Sequence, residues 1–245
     1  MAPRFSQFPL PLRFDESATF QSFYAGKNAQ VISSLQQLAQ SPQVVQNSWF
    51  YLHGAVASGV SHLLQASCHA AQSGGAQAIY LDMAEMPAQA VAAGELLASD
   101  LLEGMEAFDL LCLDNIEALV DDRNWQEALF YLLVKLQSLP GKRLLLGAHR
   151  PAASLQSLLP DLRSRLESAV SFALAVANDE DREAIIVLRA RQLGCELGED
   201  VARFIVQRYS RELPDLVAAI IKLDRQALSH ARKLTLPFVK QVLAL

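Results

Sequence analysis

The residues best equipped for chemistry lie between Trp49 and Ala71. An apolar run, Trp49-Phe50-Tyr51-Leu52, leads into the loop His53-Gly54-Ala55-Val56-Ala57-Ser58-Gly59, and Val60-Ser61-His62-Leu63-Leu64 then opens a helix. This is the P-loop pattern with Val60 standing where the phosphate lysine belongs. Such a loop holds phosphate in two ways: backbone N–H groups at a helix N-terminus need no side chain, and the lysine neutralises the outer phosphates. Only the first survives here. Gly54, Ser58, Gly59, Val60, Ser61 and His62 are the candidate contacts, and Ser61 keeps the hydroxyl that faces a magnesium ion. The competing reading is an ordinary strand-to-helix turn with two glycines. A second candidate is Asp114, which follows the four apolar residues Leu110 to Leu113 in Walker-B form, where it could hold a metal-bound water beside Ser61; a cap or turn acid is the alternative. Hydrolytic P-loop enzymes usually carry Glu at the next position, and Asn115 cannot accept a proton. Self-catalysed hydrolysis is expected to be slow or absent.

Charge sharpens this. The chain of 245 residues has net charge −5, and up to Ala177 it holds 10 Lys/Arg against 16 Asp/Glu, then 11 against 10. From Asn28 to Asp122 there is no Lys or Arg, so a triphosphate in the loop finds only His53, His62 and His69 nearby. That argues against tight ATP binding by local charge. It also argues against direct DNA binding, which draws on Lys/Arg displacing counterions. Half the residues are hydrophobic (51%), enough for a sizeable core. Cys68, Cys112 and Cys195 are widely spaced in apolar surroundings, as buried free thiols in a reducing cytosol would be. With no signal-like N-terminus and no long apolar run, a cytoplasmic protein with no membrane contact is expected.

These residues need elements to position them. Residues 1–15 carry three prolines among apolar residues and read as an extended arm; Gln7-Phe8-Pro9-Leu10-Pro11-Leu12 is either a strap packed on the domain or a peptide offered to another protein's groove. An amphipathic helix with Val31, Leu35 and Leu38 on one face follows the aromatic turn after Ala18. Further strands are expected at Ala78–Leu81, Phe108–Asn115, Arg143–His149 and Val170–Leu174, with helices at about 88–103, 124–138 and 155–166. Alternating strands and helices imply a parallel sheet covered on both faces, spanning 16–177. Residues 178–245 read as entirely helical, at about 180–193, 198–209, 213–231 and 236–244.

Five segments in this order resemble the Hda branch of the AAA+ ATPases, relatives of the replication initiator DnaA. Thr19-Phe20 with Phe23, Gly26 and Asn28 is similar to the family's adenine-side box, and Gly59-Val60-Ser61-His62-Leu63-Leu64 to its G-K/R-S/T-H-L-L. Leu111 to Glu117 resembles its Walker B, Leu159 to Leu166 the box that carries the arginine finger, and Arg232 to Lys240 its closing signature. The resemblance implies an α/β AAA+ base domain followed by a small helical lid, with Phe20 and Phe23 at an adenine nucleotide.

It also implies partners. Hda proteins open with a short peptide that binds the replicative sliding clamp, the beta subunit of DNA polymerase III; here Gln7, Phe8, Leu10, Pro11 and Leu12 would serve. Clamp-bound Hda docks on ATP-bound DnaA and stimulates its hydrolysis, with Arg165 as the finger acting in trans. Arg163 and Arg165 read without the resemblance are surface arginines at a helix end. The expectation is a regulatory protein rather than an enzyme, a negative regulator of replication initiation, weakly bound to ADP, with magnesium at Ser61 and Asp114 only if nucleotide binds. Val60, Gly147-Ala148 at the sensor-1 place and Pro214 at the sensor-2 place all thin out the phosphate contacts. A DnaA-related ATPase or an adaptor recruiting partners to DNA is the alternative, and whether the chain forms a homo-oligomer is open.

Overall fold

A computed structural model describes residues 15, 17–40, 48–92, 96–230 and 234–245; the arm peptide from Gln7 to Leu12 and the pair Arg232 and Lys233 lie outside the described residues. Five parallel strands, β1 (Ser48–His53), β2 (Ala78–Asp82), β3 (Leu110–Asp114), β4 (Arg143–Ala148) and β5 (Val170–Ala173), form one sheet in the order β2-β3-β4-β1-β5. Their two-residue period divides the apolar side chains between two layers. Tyr51, Leu81, Leu111, Leu113, Leu144 and Leu146 pack on one face against α5 (Arg123–Ser138) and α6 (Pro160–Glu167). Leu52, Tyr80, Cys112 and Leu145 face the other layer, formed by α1 (Ala29–Gln40) and α2 (Val60–Ser73). Strands covered on both sides are near-continuous apolar runs, as β3 and β4 are. The alternation puts Asp114 on the α2 face.

Buried Arg143 begins β4 and donates to the carbonyls of Leu38 (3.0 Å) and Ala39 (2.9 Å), satisfying orphan acceptors at the end of α1. The linker Leu174–Asn178 leads to α7 (Asp179–Gln192), opened by a reciprocal capping box in which Asn178 Oδ1 accepts from the Asp181 N–H at 2.7 Å and Asp181 Oδ2 from the Asn178 N–H at 3.0 Å. The helices α8 (Glu199–Arg208), α9 (Leu213–His230) and α10 (Leu236–Leu243) complete a helical unit with its own core, including Ile186, Val201, Ile205, Leu216, Ile220 and Val239.

Three expectations need correction. The single helix at 88–103 is two, α3 (Met86–Ala92) and α4 (Ala98–Leu102); Leu97 is extended, and its N–H is taken by the Asp100 carboxylate as a helix start. The helix at 155–166 begins only at Pro160, because proline fits the first turn and not the interior; a short 3-10 turn covers Ala152–Ser154. Cys195 is half-buried rather than buried, and its thiol donates to Asp224 at 2.7 Å. Burial and the neighbouring carboxylate push that thiol up to about 11. No helix among the described residues is long and apolar enough to cross a membrane.

Candidate functional site

The loop after β1 reaches the left-handed region twice, at Ala57 (φ 63°) and Gly59 (φ 96°), before α2 begins. Gly59 caps α2 without any side-chain bond, leaving the first-turn N–H groups directed out of the helix. Gly59 must be glycine for a second reason: a Cβ there would lie 2.5 Å from Phe23 Cε2. Phe23 also meets the His62 ring, centroids 5.4 Å apart. His62 Nε2 lies 2.9 Å from the Thr19 carbonyl and 3.2 Å from Ser22 Oγ, so α2 clasps the turn preceding α1. Burial holds the His62 imidazole below its ordinary range, with the Thr19 carbonyl opposing that shift.

These groups form one wall of a cavity of about 360 Å³ between the sheet unit and the helical unit. Phe23, Ser58, Gly59 and His62 line it, whereas Phe20, Gly54, Val60, Ser61 and Asp114 do not belong to its wall. Phe20 packs against the α1–α2 core, and Gly54 lies under Ser58, whose Oγ would be 2.4 Å from a Cβ at position 54. The opposite wall comes from the helical unit: Arg189 and Gln192 of α7, and Leu213, Pro214 and Val217 of α9. Lys27 contributes a second cation. Sequence reasoning missed Lys27 and Arg189 because it looked for charge near the loop in the chain, and Arg189 reaches the cavity only when the lid folds over it. The Ser58 hydroxyl and the Arg189 Nε are buried with no hydrogen-bond partner among the described residues.

The Walker-type acid stands apart. Asp114 is 1% exposed and Val60 3%. The carboxylate accepts from Tyr80 Oη at 2.9 Å and from the Asn115 N–H at 2.9 Å, and Ser61 bonds it as well. Burial nevertheless raises its pKa above the ordinary carboxylate range. Gly147, at the sensor-1 place, has no room for a side chain, since a Cβ would meet Asp114 Oδ1 at 2.5 Å, Leu64 Cδ2 at 2.8 Å and Val60 Cγ1 at 3.0 Å. Asn115 is left-handed (φ 55°) and donates from Nδ2 to Asp82 at 2.8 Å. No group of three or more metal-ligating side chains occurs among the described residues.

Arg165 lies on α6, on the opposite sheet face from α2, and contributes nothing to the cavity of its own chain. Its guanidinium sits 5.2 Å from the Phe130 ring centroid and donates to Gln137, so α5 aims it. Arg163 pairs with Glu167 at 3.5 Å. The arrangement therefore offers a cavity of about 360 Å³ between two units on one side and presents a held, partly exposed guanidinium on another.

Comparison with known proteins follows the same division. Residues 14–173 match the profile of the family described as the bacterial DnaA ATPase domain, and residues 179–243 that of the Hda lid domain. Among solved structures, domain III of the Thermotoga maritima replication initiation protein DnaA is similar at 20% identity with a TM-score of 0.78, covering 94% of this chain and 97% of that one. The AMPPCP-bound DnaA from Aquifex aeolicus gives 21% identity and a TM-score of 0.72, covering 88% of this chain and 67% of that one. The Thermotoga maritima RuvB Holliday junction branch migration motor gives 14% and 0.62, with coverages of 92% and 73%. At these identities the structural likeness speaks to fold.

Proposed function

Since the chain belongs to the bacterial DnaA ATPase-domain family and ends in an Hda-type lid, an Hda-like homologue of DnaA, we propose that it is a negative regulator of replication initiation. In this reading the arm from Gln7 to Leu12 attaches it to the sliding clamp, and it docks on ATP-bound DnaA so that Arg165 completes the partner's site. The observation that carries the reading is the Hda lid match joined to a loop whose lysine place is filled by buried Val60. A chain that cannot neutralise its own outer phosphates is better suited to assisting another chain's hydrolysis than to performing its own.

The reading of the cavity as an adenine-nucleotide site is supported by its wall, which carries two donors without partners among the described residues and a helix N-terminus. Phe23, His62 and Arg189 would hold the base and ribose, and the loop backbone from Ala57 to Gly59, which lines the cavity, the phosphates, which makes ADP the expected and weakly held ligand. A nucleotide held there would contact both walls of the cavity, joining the helical unit to the sheet unit. On the partner, Arg165 pairs with oxygens on which charge builds as the γ-phosphate departs, and a planar fork can engage two at once. The test is ATP-DnaA hydrolysis measured with and without clamp-loaded DNA and this protein. Stimulation that requires both is expected; hydrolysis of ATP by the isolated protein at a comparable rate would overturn the reading in favour of a DnaA-related ATPase.

A further inference from the structure

The family fold implies a magnesium ion held by the P-loop hydroxyl and the Walker-B acid, here Ser61 and Asp114, and the surroundings of these two residues do not suit one. Magnesium demands a near-octahedral shell at short range and retains several waters. Asp114 is 1% exposed, and on the α2 side Val60, Leu64 and Gly147 pack so closely on it that a single Cβ added at Gly147 would meet Asp114 Oδ1 at 2.5 Å. Neither Ser61 nor Asp114 belongs to the cavity wall.

The bonding pattern points the same way. A serine hydroxyl can rotate off a carboxylate when a metal arrives, so the Ser61 bond alone would be no obstacle. Tyr80 differs: its ring is 6% exposed within the α1–α2 core, and its hydroxyl is held against Asp114 Oδ2 at 2.9 Å with Gln65 bonding the same group. The other oxygen takes the Asn115 N–H at 2.9 Å. Freeing this carboxylate for a hydrated cation would leave the O–H of a buried phenol without the acceptor it has here, since Gln65 donates to the same oxygen and cannot replace Asp114. In register, Tyr80 stands opposite Cys112, two residues before Asp114 on the same face, so the parallel pairing of β2 and β3 builds the contact.

We infer that Asp114 is a structural latch closed by Tyr80, and that the nucleotide site of this chain works without magnesium. The inference rests on the reading of the cavity as a nucleotide site, and its tests separate the two. Binding of a fluorescent ADP analogue is measured in excess magnesium chloride and in excess EDTA. The ratio of dissociation constants is expected to be about one; tightening of about tenfold with magnesium, 1.4 kcal/mol of affinity, would overturn the inference. Thermal unfolding of Tyr80→Phe, Asp114→Asn and the double variant tests the latch without ligand. Tyr80→Phe should lower Tm by about 5 °C, because a hydrogen bond to a charged group is lost, and the double variant should fall no further than the worse single one. A silent Tyr80→Phe counts against the latch. Mn²⁺ titration of the protein followed by electron paramagnetic resonance closes the set: no bound ion is expected, and bound Mn²⁺ lost in Asp114→Asn would overturn the inference. If the analogue binds in neither condition, the nucleotide reading falls, while the latch is still decided by the unfolding cycle and the Mn²⁺ titration.

Discussion

Arg165 and Val60 carry opposite consequences of a single side chain. Arg165 is held over Phe130 and bonded to Gln137, so its orientation is set before any partner arrives. Arg165→Ala should eliminate stimulated hydrolysis by DnaA, a loss of roughly 10³–10⁵ in rate, while costing only about 0.5–1 kcal/mol of stability from the partly exposed cation–π contact. Arg165→Lys should be nearly as defective, since an ammonium lacks the planar fork. Single-turnover hydrolysis with clamp-loaded DNA checks both, and full activity of the alanine variant would turn attention to Arg163. Val60 sits among Leu64, Gly147 and the Asp114 latch. Val60→Lys should lower unliganded stability by about 1–3 kcal/mol, because an ammonium replaces a buried methyl pair. The same variant should tighten ADP binding by supplying the missing charge. Calorimetry with a paired urea melt reads both effects; unchanged affinity would mean that the lysine place is closed to phosphate.

At the scale of elements, the joint between α2 and the turn before α1 depends on a neutral histidine. His62 is held below its ordinary pKa by burial. The unfolded chain therefore takes up a proton near the free-histidine pKa of about 6.5 before the folded chain does, and stability is lost as pH falls from there towards the folded value. Burial depresses His53 as well, which adds a slope of the same sign. Asp114 is shifted the other way, so its contribution to stability falls as pH rises from the free value to the folded one, in the acid range. His62→Gln keeps a donor for the Thr19 carbonyl and removes the titration. Urea midpoints compared between about pH 7.5 and 5.5 should show a shallower pH dependence in this variant than in the parent. Equal slopes would place the pH dependence elsewhere.

For the whole molecule, the cavity exists only while the helical unit stays against the sheet unit. Asn28 is buried and its Oδ1 accepts from the Ala175 N–H at 2.9 Å, tying the start of α1 to the linker between the units. Asn28→Ala should cost about 1 kcal/mol by leaving the part-buried Ala175 N–H without its acceptor. ADP affinity should fall with it, because both walls move. Chemical denaturation and ADP titration read the two effects, and an unchanged affinity would show that the linker bond does not set the cavity. The arm is expected to be independent of this closure: replacing Gln7, Leu10 and Leu12 by alanine should abolish clamp binding and leave Tm unchanged, whereas a drop in Tm would favour the packed strap.

The sequence by itself determined the alternation of strands and helices, the glycine loop opening a helix at Val60, the acid at the end of β3 and the helical character of the chain after Asn178. These follow from periodicity, backbone requirements and residue type within a few positions of each other. It could also show that the loop lacks its lysine. It could not show where helices at 88–103 and 155–166 break or begin, since caps and proline placement compete locally with periodic pattern. Only the tertiary structure decided which groups meet. Tyr80 reaches Asp114 through the register of β2 on β3, Gly147 is denied a side chain by Val60 and Asp114 from two other elements, and Gln137 and Phe130 of α5 aim Arg165 on α6. Arg189 enters the cavity wall from α7, far along the chain from the loop it faces. Contacts of this kind depend on packing angles and strand order, which no local pattern in one sequence encodes.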